Sequence, residues 1–182
     1  MAKEKNIILG VAASIAIYKA CDLVRGFKDQ GFAVSVIQTK ESQNLIRPIV
    51  FQSLSGNKVY SGLFDTPDAW DIEHVSLAKT TDLVLIAPAT ANIIAKIASG
   101  ICDDLLTCVV CATRAPVLIA PAMNKNMFEN KITQGNIAKL KGLGYKFIGP
   151  RKGKLACGDE GIGCLAEVGE IVKEVNILLR NL

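Results

Sequence analysis

The sequence predicts an α/β fold built as a three-layer, doubly wound parallel sheet. Three observations carry that prediction. The same six residues, VLIAPA, occur at Val84 to Ala89 and again at Val117 to Ala122, and an asparagine follows each run (Asn92, Asn124). Apolar runs of this kind suit strands covered on both faces, as in a parallel sheet. Short β-branched runs alternate with helical periodicity along the chain. Finally, a turn of small residues, Gly10 to Ser14, follows the first apolar run and opens a helical pattern.

Each element can be justified in order. Residues 6–11 form an aliphatic first strand. Ser14 has the hydroxyl of an N-cap, and residues 15–30 repeat apolar positions at helical spacing up to Gly31. Residues 32–38 are rich in β-branched side chains and make strand two. Thr39 and Ser42 mark the next turn. Residues 41–55 hold one or two short helices divided at Pro48. Residues 56–73 read as a long surface loop with a short strand near Val59 and Tyr60, and His74 closes it. A strand at 82–87, helices at 91–99 and 103–112, and a strand at 116–120 follow. After a turn come a helix at 131–143, Gly144 and a brief strand at 146–148. Residues 149–163, rich in Gly and Lys, read as a mobile stretch, and 167–182 as a closing helix. With 182 residues, half of them hydrophobic, the chain reads as a single domain, 1–182.

Composition narrows the function. A net charge of +4 without a basic block argues against nucleic acid as a partner. No apolar run approaches the roughly 20 residues of a membrane span. Lys3, Lys5 and the apolar residues 7–17 imitate a leader. Glu4 interrupts the basic part, however, and removal would delete the first strand. A cytoplasmic protein is expected. The six cysteines (21, 102, 108, 111, 157, 164) suggest a reducing compartment, most of them acting as small core residues. Cys108 and Cys111 have CxxC spacing but sit in what reads as a buried helix. No metal site is expected, since the chain has one histidine.

Several residues admit two readings. The Gly10–Ser14 turn suits either tight packing or an anion at a helix N-terminus. Asn92 and Asn124 suit helix N-caps, or amides facing a planar heterocycle or a carboxylate. Asp103 reads as a helix cap with Asp104 in the first turn. His74 is a surface residue or the proton carrier of a site working near neutral pH. Cys157, with Gly158 beside it, belongs to an incidental loop or to a lid carrying a weak acid. Lys152 and Lys154 meet a substrate phosphate or are simply solvated.

The ordered motifs resemble a known family, the flavin-dependent cysteine decarboxylases. They are Ala-Ser-Ile-Ala-x-Tyr-Lys (13–19), Glu-His-Val-Ser-Leu (73–77), the run from Pro88 to Thr107, Pro-Ala-Met-Asn-x-x-Met (121–127) and Leu-Ala-Cys-Gly…Leu-Ala-Glu (155–167). The resemblance covers nearly the whole chain and implies a Rossmann-like flavoprotein that binds FMN. By motif, Ala13, Ser14, Ile15, Thr39 and Ser42 would serve the cofactor phosphate, and Phe51 would pack on the flavin. Thr90, Ala91, Asn92, Ile93 and Ala122 would border the ring and ribityl chain. His74 would be the base, Asn124 would hold the substrate carboxylate, and Cys157 would be the acid, with Met123 and Ala156 also touching substrate. The implied reaction is decarboxylation of 4′-phosphopantothenoylcysteine to 4′-phosphopantetheine in coenzyme A biosynthesis, through thioaldehyde and enethiol intermediates.

The resemblance also implies a homo-oligomer, a trimer or a dodecamer assembled from trimers, with FMN at a subunit boundary. The synthetase supplying the substrate is expected as a separate polypeptide. Three departures stand out: Ala13 where relatives often carry Gly, Phe128 where Trp is common, and Cys164 where Arg is usual. Rival readings are a peptidyl-cysteine decarboxylase stopping at the enethiol, a flavin prenyltransferase, and a non-catalytic regulatory flavoprotein. The presence of both His74 and Cys157 favours the full decarboxylase.

Overall fold

The computed structural model describes residues 4–63, 73–156 and 158–180. Six strands form one parallel sheet: β1 (Asn6–Val11), β2 (Ala33–Gln38), β3 (Val59–Tyr60), β4 (Leu83–Ala89), β5 (Val117–Pro121) and β6 (Lys146–Phe147). Their spatial order is β3-β2-β1-β4-β5-β6. The order reverses between β1 and β4, so the crevice beyond their carboxyl ends is the natural ligand site of this topology. The repeated VLIAPA segments are neighbouring strands, with Val84, Leu85 and Ile86 opposite Val117, Leu118 and Ile119.

Side-chain alternation divides the core into two layers. Ile7, Leu9 and Val11 of β1 join Leu83, Leu85 and Leu118 on one face. Ile8, Val84, Ile86 and Ile119 point to the other. Helices α1 (Tyr18–Asp29), α2 (Pro48–Ser55) and α8 (Val168–Arg180) cover the first face. Helices α3 (Glu73–Thr80), α4 (Ala91–Ser99), α5 (Leu105–Ala112) and α7 (Lys131–Gly142) cover the second. Helix α1 shows why: Ala20, Leu23, Val24 and Phe27 recur at one helical face and are buried. Each such large side chain contributes about 1.5–3 kcal/mol on burial. Gly31, with φ +80°, ends the helix in the left-handed conformation that other residues avoid.

The structure departs from the sequence-based expectations in five places. Helix α3 occupies residues that read as the end of a loop, so His74 lies in a first helical turn. A short helix α6 (Lys125–Glu129) stands where a turn was expected. The 149–163 stretch contains an antiparallel hairpin, β7 (Arg151–Lys154) with β8 (Glu160–Cys164). None of the five described cysteines is buried. Loss of hydration nevertheless raises the thiols of Cys21, Cys102 and Cys108, Cys102 to about 11, so they stay protonated near neutral pH. Among the described residues no cluster of three metal-ligating side chains forms, and no helix is long and apolar enough to cross a membrane.

The fifth departure concerns the paired acids. Asp104, not Asp103, caps α5. Its carboxylate accepts from the Thr107 amide at 2.8 Å, and the Thr107 hydroxyl accepts from the Asp104 amide at 3.3 Å. Asp103 instead accepts from Lys96 Nζ at 2.7 Å, and that ammonium holds its carboxyl below the ordinary value. The Lys96–Asp103 link is therefore present above the usual carboxylate range and is lost as pH falls through the lowered value. We predict that Asp104→Ala destabilises the protein by about 1–2 kcal/mol, a drop of roughly 2–8 °C in Tm. Asp104→Asn, which keeps the cap, loses less; calorimetry on both variants checks this.

Candidate functional site

Backbone hydrogen bonds knit the carboxyl ends of the central strands together. The Thr39 amide donates to Val11 O at 3.0 Å, Ala12 to Pro88 O at 3.2 Å, and Ala122 to Ala89 O at 2.9 Å. The loops after β1, β4 and β5 thus form one ledge. A cavity of about 630 Å³ opens on it. One wall is the chain from Ala13 to Ala16, entering a 3-10 turn at Ile15–Ile17 that leads into α1. Thr90 and the residues Ala122 to Asn124 form the floor. The hairpin closes the far side with Arg151, Lys154, Leu155, Ala156 and Gly163 to Leu165.

Local chemistry fixes each wall. Ser14 Oγ accepts from the Ala16 amide at 3.4 Å, capping the 3-10 turn. The amides of Ala13 and Ile15 make no hydrogen bond among the described residues, which leaves two donors at the start of the turn. Thr90 caps α4 by accepting from the Ile93 amide at 3.3 Å. Asn124 Oδ1 accepts from the Asn126 amide at 2.8 Å and caps α6. The hairpin is moored to the floor, with the Met123 amide donating to Gly163 O at 3.0 Å. Gly163 has φ +152°, and a Cβ there would lie 2.2 Å from Met123 O. Only glycine lets the strand approach the loop this closely.

Of the residues expected at the site, the cavity gathers Ala13, Ser14, Ile15, Thr90, Ala122 and Met123, together with Asn124 and Ala156. Others lie outside its wall. Thr39 and Ser42 sit at the end of β2, where Ser42 is buried and its hydroxyl donates to Thr39 O at 2.7 Å. Phe51 is fully buried in the first core layer, and Ile93 in the second. Asn92 is exposed on α4, one residue after Ala91. Thr90 rather than Asn92 is the α4 cap. His74 is half-buried in the first turn of α3 and does not line this chain's cavity. Cys157 lies outside the described residues.

The cavity also holds residues not expected from the sequence: Tyr18, Lys19, Met127 and Arg151. Lys19 was legible in principle, because it follows Ile15 by four residues and so shares its helical face. Arg151 carried no such signal, since its position depends on the hairpin.

Comparison with known proteins matches the geometry. The chain matches the flavoprotein family over residues 1–180. It is 45% identical, over 94% of its length and 97% of the relative's, to a probable phosphopantothenoylcysteine decarboxylase of Streptococcus mutans. It is 45% identical over 92% of its length to a coenzyme A biosynthesis bifunctional protein of Vibrio vulnificus, of which it spans 42%. A cysteine-to-serine mutant of a PPC decarboxylase, solved with pantothenoylaminoethenethiol, superposes with TM-score 0.86, 29% identity and coverage of 98% of this chain and 100% of that one. The FMN binding protein AtHal3 superposes with TM-score 0.85 and 30% identity, covering 99% of both chains. With this length of match, the chain belongs to the flavoprotein family, with phosphopantothenoylcysteine decarboxylases among its relatives.

Proposed function

We propose that the chain is an FMN-dependent decarboxylase that converts 4′-phosphopantothenoylcysteine to 4′-phosphopantetheine in coenzyme A biosynthesis. The observation that carries this reading is one cavity in which a small-residue helix entrance, the Asn124 loop and a hairpin meet at the carboxyl edge of the sheet. The 45% identity to the Streptococcus mutans relative, with near-complete mutual coverage, supports it.

The residues present fit a flavin nucleotide. Ala122 carries only a methyl group, so a planar ring can approach the backbone there, and the small Ala13 leaves room for a phosphate. The amides at Ala13 and Ile15 and the Ser14 hydroxyl are donors suited to a phosphate at a helix entrance. When bound, the flavin supplies a reversible two-electron sink at the thiol-bearing carbon of the substrate. The protein's part is to bind, orient and move protons. Asn124, held by its own cap, presents its side chain to the substrate carboxylate. His74 takes the proton released as the thiol-bearing carbon is oxidised. Cys157 returns a proton in the final reduction.

Because His74 is off the wall of this chain's cavity, the reading has it serve a neighbouring chain's substrate. Helix α3 begins at the carboxyl edge, which leaves His74 at the right level. Ile15, Tyr18, Ile49 and Val50 are exposed apolar residues on the packed helices α1 and α2 and the turn before them, and they support such an interface. The trimer itself comes from the resemblance.

Product analysis with 4′-phosphopantothenoylcysteine tests the proposal. The purified protein should carry a flavin absorbance band, release carbon dioxide and yield 4′-phosphopantetheine. We predict that Cys157→Ser still releases carbon dioxide but accumulates the oxidised enethiol, read by mass spectrometry. A normal yield of 4′-phosphopantetheine from that variant removes the acid role.

A further inference from the structure

We propose that Arg151 and Lys154 of the hairpin, with Lys19 facing them, form the recognition site for a phosphate monoester on the substrate. This rests on the decarboxylase reading and adds to it the group that selects the substrate's far end.

The cavity wall carries three cations, Lys19, Arg151 and Lys154, and no carboxylate among the described lining residues. One acid pairs with two of them: Glu167 lies 2.7 Å from Arg151 Nη2 and 3.5 Å from Lys19 Nζ. The three lining cations outnumber Glu167 and Glu160, which stands opposite Lys154 in the hairpin, and the positive surplus suits a phosphate monoester, which carries about −1.5 to −2 at neutral pH. Glu167 engages only one nitrogen of Arg151, so the rest of the guanidinium fork is available for a bidentate contact. Lys154 makes no ion pair among the described residues.

The backbone shows why these two side chains share a wall. In a regular strand, residues three apart face opposite sides. The hairpin register shifts between Arg151, opposite Cys164, and Lys152, opposite Ile162. That irregularity re-aims one side chain relative to the other, as bulges beside active sites do. Arg151 and Lys154 both reach the cavity, whereas Lys152 does not line it. The cofactor's phosphate is served separately by neutral amides at Ala13 to Ile15. The same cavity thus offers neutral amide donors and, separately, cationic side chains.

The test compares 4′-phosphopantothenoylcysteine with pantothenoylcysteine on the FMN-loaded protein. We expect kcat/KM to favour the phosphorylated substrate by about 100-fold, the scale of one or two charge-assisted hydrogen bonds. Arg151→Gln and Lys154→Gln should each lower that ratio about tenfold, mainly through KM, and Lys154→Arg should restore most of it. A ratio near one in the wild type, or an unchanged ratio in both variants, overturns the proposal. Variants that lose FMN absorbance while keeping the ratio assign the cations to the cofactor and also overturn it. If a variant does not fold, inorganic phosphate on the wild type decides: competitive inhibition against the phosphorylated substrate is expected, and no inhibition overturns the site. Release of carbon dioxide from neither substrate defeats the decarboxylase reading itself, and this proposal with it.

Discussion

His74→Asn should keep the flavin band and lose carbon dioxide release by about 10²–10⁴-fold, the range of a positioned proton-transfer group. Asparagine retains comparable bulk and a hydrogen-bonding head but carries no exchangeable base near neutral pH. The substitution lies in the first turn of α3, at a half-buried position on the face of the buried Leu77 and Ala78 that fasten the helix, and asparagine fills nearly the same space there. The fold should therefore survive, and the effect should appear in kcat. Single-turnover measurement of carbon dioxide with the flavin spectrum in parallel checks this. A near-normal rate removes His74 from the chemistry. Loss of the flavin instead makes it a binding residue.

Gly163→Ala should lower product formation by about 100-fold or more while leaving the central sheet intact. The new methyl would lie 2.2 Å from Met123 O, and the backbone is in a region disfavoured for alanine. Either the Met123–Gly163 hydrogen bond breaks or the floor loop carrying Asn124 moves. Misplacement of about 1 Å is enough for a loss of 100-fold or more. The hairpin lies outside the six-stranded sheet, so far-ultraviolet circular dichroism should be nearly unchanged. Steady-state turnover and that spectrum together check the prediction. A turnover within a few-fold of wild type would show that the hairpin tolerates displacement.

What could be foreseen depended on where the physical signal lay. β4 and β5 were legible because burial on both faces demands unbroken apolar runs, and both segments are fully buried. The Ser14 turn was legible from its small residues and hydroxyl. Helix α3 was not, because only Leu77 and Ala78 of its eight residues are buried and no sustained apolar stripe forms. Asp104 was misassigned by one position, although Thr107 three residues on was a readable capping partner. The hairpin was hidden because its glycines read as flexibility. Its pairing is secured by docking against Met123, a long-range contact that no local window contains. For the site, residues on strand-end loops were found by motif, whereas Arg151 required the hairpin register.

The hairpin shares no ladder with the six parallel strands and rests on the floor loop and on α6. Its sequence can thus drift without disturbing the register of the main sheet. Arg151 and Lys154, which would meet the substrate's distal end, thus sit on a different sheet from the strands that would seat the nucleotide, joined to them through the floor loop. Exchanging this one module offers a route to new substrates on an unaltered chassis.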